Sequence, residues 1–153
     1  MKLWIWAQNW FARRLRAARR TLRAHRIPAT VMPIGYKVDW RSVLCRMYVE
    51  EGTIYVSGWW MVVGYVLKSR MTTERLFRHE LAHTIVHNSK RVQNHYWFPD
   101  YPSRRTMLIE ELKYVLRGFR DYGRIHPEEE FAEKVSDLDR DVLHQVACLA
   151  SRP

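Results

Sequence analysis

His79-Glu80-Leu81-Ala82-His83 decides how this chain is read. It fits the pattern H-E-x-x-H. On a helix, residues four apart lie one above the other on the same face. Two imidazoles so placed can hold one Zn²⁺ at about 2.0–2.1 Å each. Glu80 follows the first imidazole directly, where its carboxylate can take a proton from a water activated by that metal. The flanking residues predict the helix. Thr72 and Thr73 are N-cap candidates. Leu76, Phe77, Leu81, Ile85 and Val86 recur at helical spacing, and Asn88 and Ser89 terminate the run.

A catalytic zinc needs a third protein ligand and an open fourth position. His87, His95 and Glu129 are the candidates. His87 lies one further turn along, where a straight helix carries it away from the other two. His95 falls in a stretch, Asn88 to Arg105, that reads as loop. Glu129 belongs to His126-Pro127-Glu128-Glu129-Glu130-Phe131-Ala132-Glu133. Pro127 suits the first position of a helix. Three glutamates in the first turn suit the helix dipole. Glu129 and Glu133 share a face, so one can bind metal while the other orients a histidine ligand. That segment favours Glu129.

The pair of motifs resembles the glutamate-zincins, zinc metallopeptidases of the gluzincin type, and their small members and lethal-factor-like catalytic domains in particular. The similarity covers roughly residues 50 to 150. It implies His79, His83 and Glu129 as zinc ligands, Glu80 as catalytic base and Glu133 as a supporting carboxylate. It also implies an oxyanion-stabilising tyrosine shortly before the third ligand. Tyr122 stands there, with His126 as the substitute. A weaker resemblance, to SprT-like proteases, would make His95 the third ligand beside the aromatic Phe98. The His-Gly pair usual in that family is absent, since Tyr96 follows His95.

A helical wheel sets one condition on this mapping. If Pro127 to Leu149 is one helix, its apolar stripe runs through Phe131, Val135, Leu138, Val142, Val146 and Leu149. Glu129 and Glu133 then fall on the opposite side. Either the helix is sandwiched or those carboxylates face water.

With 153 residues, 47% hydrophobic and 27% charged, the chain reads as one globular unit rather than a disordered one. Cys45 and Cys148 fit neither a zinc knuckle nor a disulfide framework and read as buried free thiols. The formal charge is +10, from 26 Lys plus Arg against 16 Asp plus Glu. The excess is concentrated in residues 1–26, which contain eight basic residues and no acid.

Residues 3–26 predict an amphipathic helix. Leu3, Ala7, Phe11, Leu15, Ala18 and Leu22 form one stripe, arginines the other face, and Pro28 ends it. Three partners suit such an arm: an anionic membrane surface, nucleic-acid phosphates, or an acidic protein. The plain alternative is a surface helix packed on the domain. Gln8 and Asn9 interrupt any signal-peptide core, and no run reaches the roughly twenty apolar residues that span a bilayer. A cytoplasmic location is therefore expected. An arm on a small metallopeptidase-like domain would also suit a phage or mobile-element component.

Val31–Trp40, Ser42–Glu50 and Thr53–Leu67 read as strands, with a turn at Glu51-Gly52 and Trp59–Leu67 as buried strand. Thr106–Phe119 reads as a helix. The expectation is an α+β, small zincin-like domain over 29–153. Its sheet would be short and mostly antiparallel and could pair with an extended polypeptide substrate, and the basic helix over 1–28 would be attached to it. The expected function is zinc-dependent peptide-bond hydrolysis. The competing class is a non-catalytic basic binding or assembly protein on the same scaffold.

Overall fold

Ala7, Phe11, Leu15, Ala18 and Leu22 of the amphipathic stripe lie buried along helix α1 (Lys2–Ala24) together with Trp10, whereas Leu3 at the head of the stripe is exposed. The helix ends where Arg26 adopts φ +68° and the Ile27 amide donates to the Leu22 carbonyl, a Schellman-type stop completed by Pro28. The computed structural model describes residues 2–43, 45–67, 70–118 and 126–152, with the backbone alone for 70–72. Within them the chain is α+β.

After a short 3-10 turn (Ala29–Val31) come strands β1 (Tyr36–Asp39), β2 (Met47–Glu50) and β3 (Thr53–Ser57), in the order β1-β3-β2. The sheet is mixed, not mostly antiparallel: β2 and β3 form the expected hairpin, but β1 runs parallel to β3. Glu51 and Gly52 both have positive φ, as a two-residue hairpin turn requires. A Cβ on Gly52 would lie 2.8 Å from the His87 ring, so this turn packs closely against the end of the helix that carries His79 and His83.

The run expected as buried strand over Trp59–Leu67 is instead helix α2 (Gly58–Leu67). A short apolar run does not distinguish the two by periodicity. At the first residue of α2, Gly58, the missing Cβ admits the Trp40 indole 2.5 Å from where that atom would stand. Helix α3 (Arg70–Asn88) carries the motif through the centre of the molecule. Phe77, Leu81, Ala82 and Ile85 are fully buried, and α3 packs against α1, α6 and the sheet. Residues 1–28 and the rest share one core.

Asn88 to Arg105, expected as loop, contains helix α4 (Lys90–Tyr96). The motif helix ends at Asn88 as expected, and Ser89 also acts as the N-cap of α4, accepting from the Val92 amide. Helix α5 (Arg104–Leu116) follows, with no buried residue. Helix α6 (Pro127–Ser136) and helix α7 (Arg140–Ala150) replace the single C-terminal helix. Leu138 at φ +59° and the Asp139 amide on the Lys134 carbonyl close α6, and the Asp139 carboxylate then caps α7. The break leaves the wheel within α6 unchanged, and the helix is sandwiched: Phe131 packs against Tyr96 and Phe98, while Glu129 is buried facing the histidines of α3. Both cysteines are exposed, against the expectation of burial.

A candidate metal centre

Two helices build the site. His79 and His83 project from adjacent turns of α3, and Glu129 faces them from the first turn of α6. His79 Nε2 lies 2.9 Å from Glu129 Oε2. His83 Nε2 lies 3.2 Å from Glu129 Oε1, and the two Nε2 atoms are 3.3 Å apart. Donors held at 2.0–2.2 Å around a tetrahedral zinc stand about 3.3–3.5 Å from one another. The two nitrogens already have that spacing, and Glu129 needs to withdraw by about half an ångström. Among the described residues these three form the one group of His, Cys, Asp or Glu donors close enough to share an ion.

The outer nitrogens of both rings are also held. His79 Nδ1 is 3.0 Å from Glu133 Oε1, and His83 Nδ1 is 2.8 Å from Glu128 Oε1. A carboxylate on the far nitrogen fixes the ring's tautomer and orientation and raises its basicity toward a metal. Arg75 on α3 in turn holds Glu133 at 3.0 Å, and the Arg78 Nε donates to the Ser136 carbonyl. Helices α3 and α6 are thus laced together on both sides of the donor set.

Each imidazole faces carboxylate oxygens through both nitrogens, an arrangement that favours its protonated form. For His79, burial opposes the charge, but the bonds to Glu129 and Glu133 outweigh it and raise its pKa to about 9. His83 is raised well above its ordinary 6.5: burial again opposes, and Glu128 and Glu129 prevail. Glu129 is also penalised by burial, yet both histidines hold it far below the usual carboxylate range. Glu80, beside them on α3, is buried, and desolvation pushes its carboxyl up, against the pull of His83 and His79.

Tyr122 lies outside the described residues. His126 is buried with both nitrogens taken: Nδ1 accepts from the Glu128 amide at 3.1 Å and Nε2 donates to the Pro99 carbonyl at 2.7 Å. It caps α6 and so sets the position of Glu128 and Glu129. Its ring also stacks on Tyr101, with centroids 4.0 Å apart. Tyr101, in the segment before α5, donates to Glu129 Oε1 at 3.1 Å and comes within 3.5 Å of His83 Nδ1. His95 does not join the cluster. It is exposed on α4 and bonds Gln145.

Sequence reasoning missed Glu128 and Tyr101. Glu128 is legible in retrospect, as the residue that an i, i+1 step places on the second histidine once α6 faces α3. Tyr101 carries no local signal, because only the fold brings its segment to the site.

A cleft of about 950 Å³ opens between α5 and the sheet. Tyr48, Tyr55 and Cys45 lie on one wall, and Leu108, Arg105 and Glu111 on the other.

Comparison with protein-family models, with curated proteins and with solved structures finds no match. The functional reading therefore rests on the residues themselves.

Proposed function

We propose that the chain is a zinc-dependent metallopeptidase. The observation that carries this reading is the convergence of His79, His83 and Glu129 on one point while Glu133 and Glu128 occupy the far nitrogens. A buried ion-pair network needs no shared focus for its two imidazoles; a metal centre does. Zinc bound there supplies a Lewis acid and a water made acidic enough to ionise near pH 7.

The remaining chemistry belongs to side chains. Glu80 accepts a proton from the attacking water as its oxygen bonds to the scissile carbonyl carbon. The same carboxyl then gives that proton to the departing amine nitrogen as the C–N bond breaks. Burial that raises the Glu80 pKa suits a group that must hold a proton between those two events. The Tyr101 hydroxyl donates to the carbonyl oxygen as it becomes negative. His126 holds the Tyr101 ring by stacking and keeps α6 in register through its cap. The cleft beside α5 accommodates the polypeptide.

The test is zinc content and cleavage of casein or a peptide library by the wild type and by Glu80→Gln. One zinc per chain in both proteins, with cleavage by the wild type alone, is expected. Equal cleavage by Glu80→Gln, or a purified protein that neither carries nor takes up zinc, would overturn the reading.

A further inference from the structure

A second surface, away from the histidines, has its own composition. Helix α2 contains no charged side chain: its sequence is Gly-Trp-Trp-Met-Val-Val-Gly-Tyr-Val-Leu. A helix apolar on every side is ordinarily enclosed. Here Met61 and the two glycines face the core, while Trp59, Val63, Val66 and Leu67 form an outward stripe at i, i+4, i+7 and i+8. Their exposures run from 53% to 72%.

The first turns of α1 extend this surface. α1 packs against α2, and Leu3, Ile5 and Trp6 are exposed. Trp40 joins the two helices, its ring 4.9 Å from Trp4 and 5.4 Å from Trp59. Six of the seven tryptophans (all but Trp97) lie on α1, on α2 or at Trp40. The charge beside Trp6 is basic. Trp6 and Tyr65 line one hollow together with Arg13 and Arg16, and the chain has no acidic residue before Asp39.

We propose that α2 and the first turns of α1 form an in-plane membrane-docking face for anionic lipid bilayers. The occupant follows from the combination. Tryptophan, with an apolar body and a polar N–H, suits the boundary between headgroups and acyl chains. Valine and leucine bury among the acyl chains, while Arg13 and Arg16 meet lipid phosphates. Nucleic acid would engage the arginines but leave the aliphatic stripe in water. No helix of the described residues is long and apolar enough to cross a membrane, so the contact is one of lying on the surface. The inference is independent of the metal centre.

The experiment is co-sedimentation of the full chain with phosphatidylcholine vesicles with and without 30 mol% (about a third) phosphatidylglycerol. Quenching of tryptophan fluorescence by lipids brominated near the headgroup is measured alongside. Binding to the anionic vesicles, quenching by the shallow bromines, and weakening as salt rises are expected. Val63→Asp with Val66→Asp should reduce binding at least tenfold. Arg13→Glu with Arg16→Glu should reduce it by on the order of fivefold or more per residue. Both pairs are exposed, and unchanged circular dichroism checks that the fold persists. The quenching of the wild type tests the face even if a variant misfolds. Absence of quenching, binding untouched by the valine changes, or a self-association in solution that those changes dissolve would overturn the proposal. So would tight binding of duplex DNA without binding of vesicles.

Discussion

Glu128 Oε1 stands 2.8 Å from His83 Nδ1, which makes Glu128 the counterpart of the Glu133 that holds His79. Each candidate ligand imidazole thus has its own carboxylate from the first two turns of α6. Glu128→Gln keeps the size but weakens the acceptor, leaving the His83 ring less basic and free to rotate. Zinc affinity should fall by roughly 10–100-fold with the stoichiometry unchanged. Glu130→Gln, on the exposed side of α6, should leave affinity alone. Competition against a chromophoric chelator measures both. Equal affinities for wild type and Glu128→Gln would remove Glu128 from the site.

The ligand set is tested by stoichiometry. His79→Ala, His83→Ala and Glu129→Ala should each lose tightly bound zinc, since three protein donors leave none in reserve. His95→Ala should keep it, because that ring bonds Gln145 on α7 instead. Retention of zinc by Glu129→Ala together with its loss from His95→Ala would reverse the assignment.

The site was legible because its parts are local. The motif helix announces itself by periodicity and residue types, although Thr72 and Thr73, expected as its N-cap, lie inside α3; the Pro127 helix announces itself by its proline and acidic first turn. Glu129 could be named before its helix was placed, because Pro127 and the acidic first turn fix where α6 begins. What the sequence concealed lies at junctions. Leu138 in a left-handed conformation, which its side chain disfavours, breaks a run that periodicity reads as continuous. The apolar run from Gly58 is helix rather than the expected strand, because a short apolar run suits either and its periodicity does not separate them. The parallel pairing of β1 with β3 is non-local. Tyr101 reaches Glu129 from a segment between α4 and α5 that no local pattern marks.

Tyr101→Phe removes one hydroxyl and keeps the ring stacked on His126. If that hydroxyl donates to the developing oxyanion, kcat should fall by on the order of 100-fold while KM and zinc content change little. A purely structural role would instead alter zinc affinity through Glu129, which the same hydroxyl touches. Steady-state kinetics beside a zinc titration separates the two.

Helix α1 shares the core of the rest of the chain, so shortening its stripe should act on the whole molecule. Phe11 is fully buried, and its ring meets Phe77 of α3 and Trp60 of α2 edge-on. Phe11→Ala should cost about 3–5 kcal/mol, a large part of the 5–15 kcal/mol typical of a domain. Urea unfolding should give one transition with a lower midpoint. Two separate transitions in the wild type would mean that residues 1–28 fold apart from the remainder.

The raised histidines give a pH dependence of opposite sign for stability and for zinc binding. In the metal-free protein His79 has a pKa of about 9 against an ordinary 6.5. A group raised on folding stabilises fully below its unfolded value and loses that contribution as pH rises through the folded one. The contribution of His79 should therefore be complete below about pH 6.5 and gone above about pH 9. Glu129 and Glu133 are lowered, so theirs is present above the ordinary 4.5 and fades only in stronger acid. Glu80, raised by burial, works against stability once it ionises. Metal-free protein should thus melt highest near pH 5–6.5, and its midpoint should fall steadily toward pH 10. Zinc binding must displace the Nε2 protons of both rings, so affinity should rise with pH, at least about tenfold per unit between pH 6 and 8. Differential scanning calorimetry of chelator-treated protein and zinc titrations at matched pH test the two trends together. A zinc affinity flat over that range would mean that these nitrogens give up no proton to the metal and do not bind it.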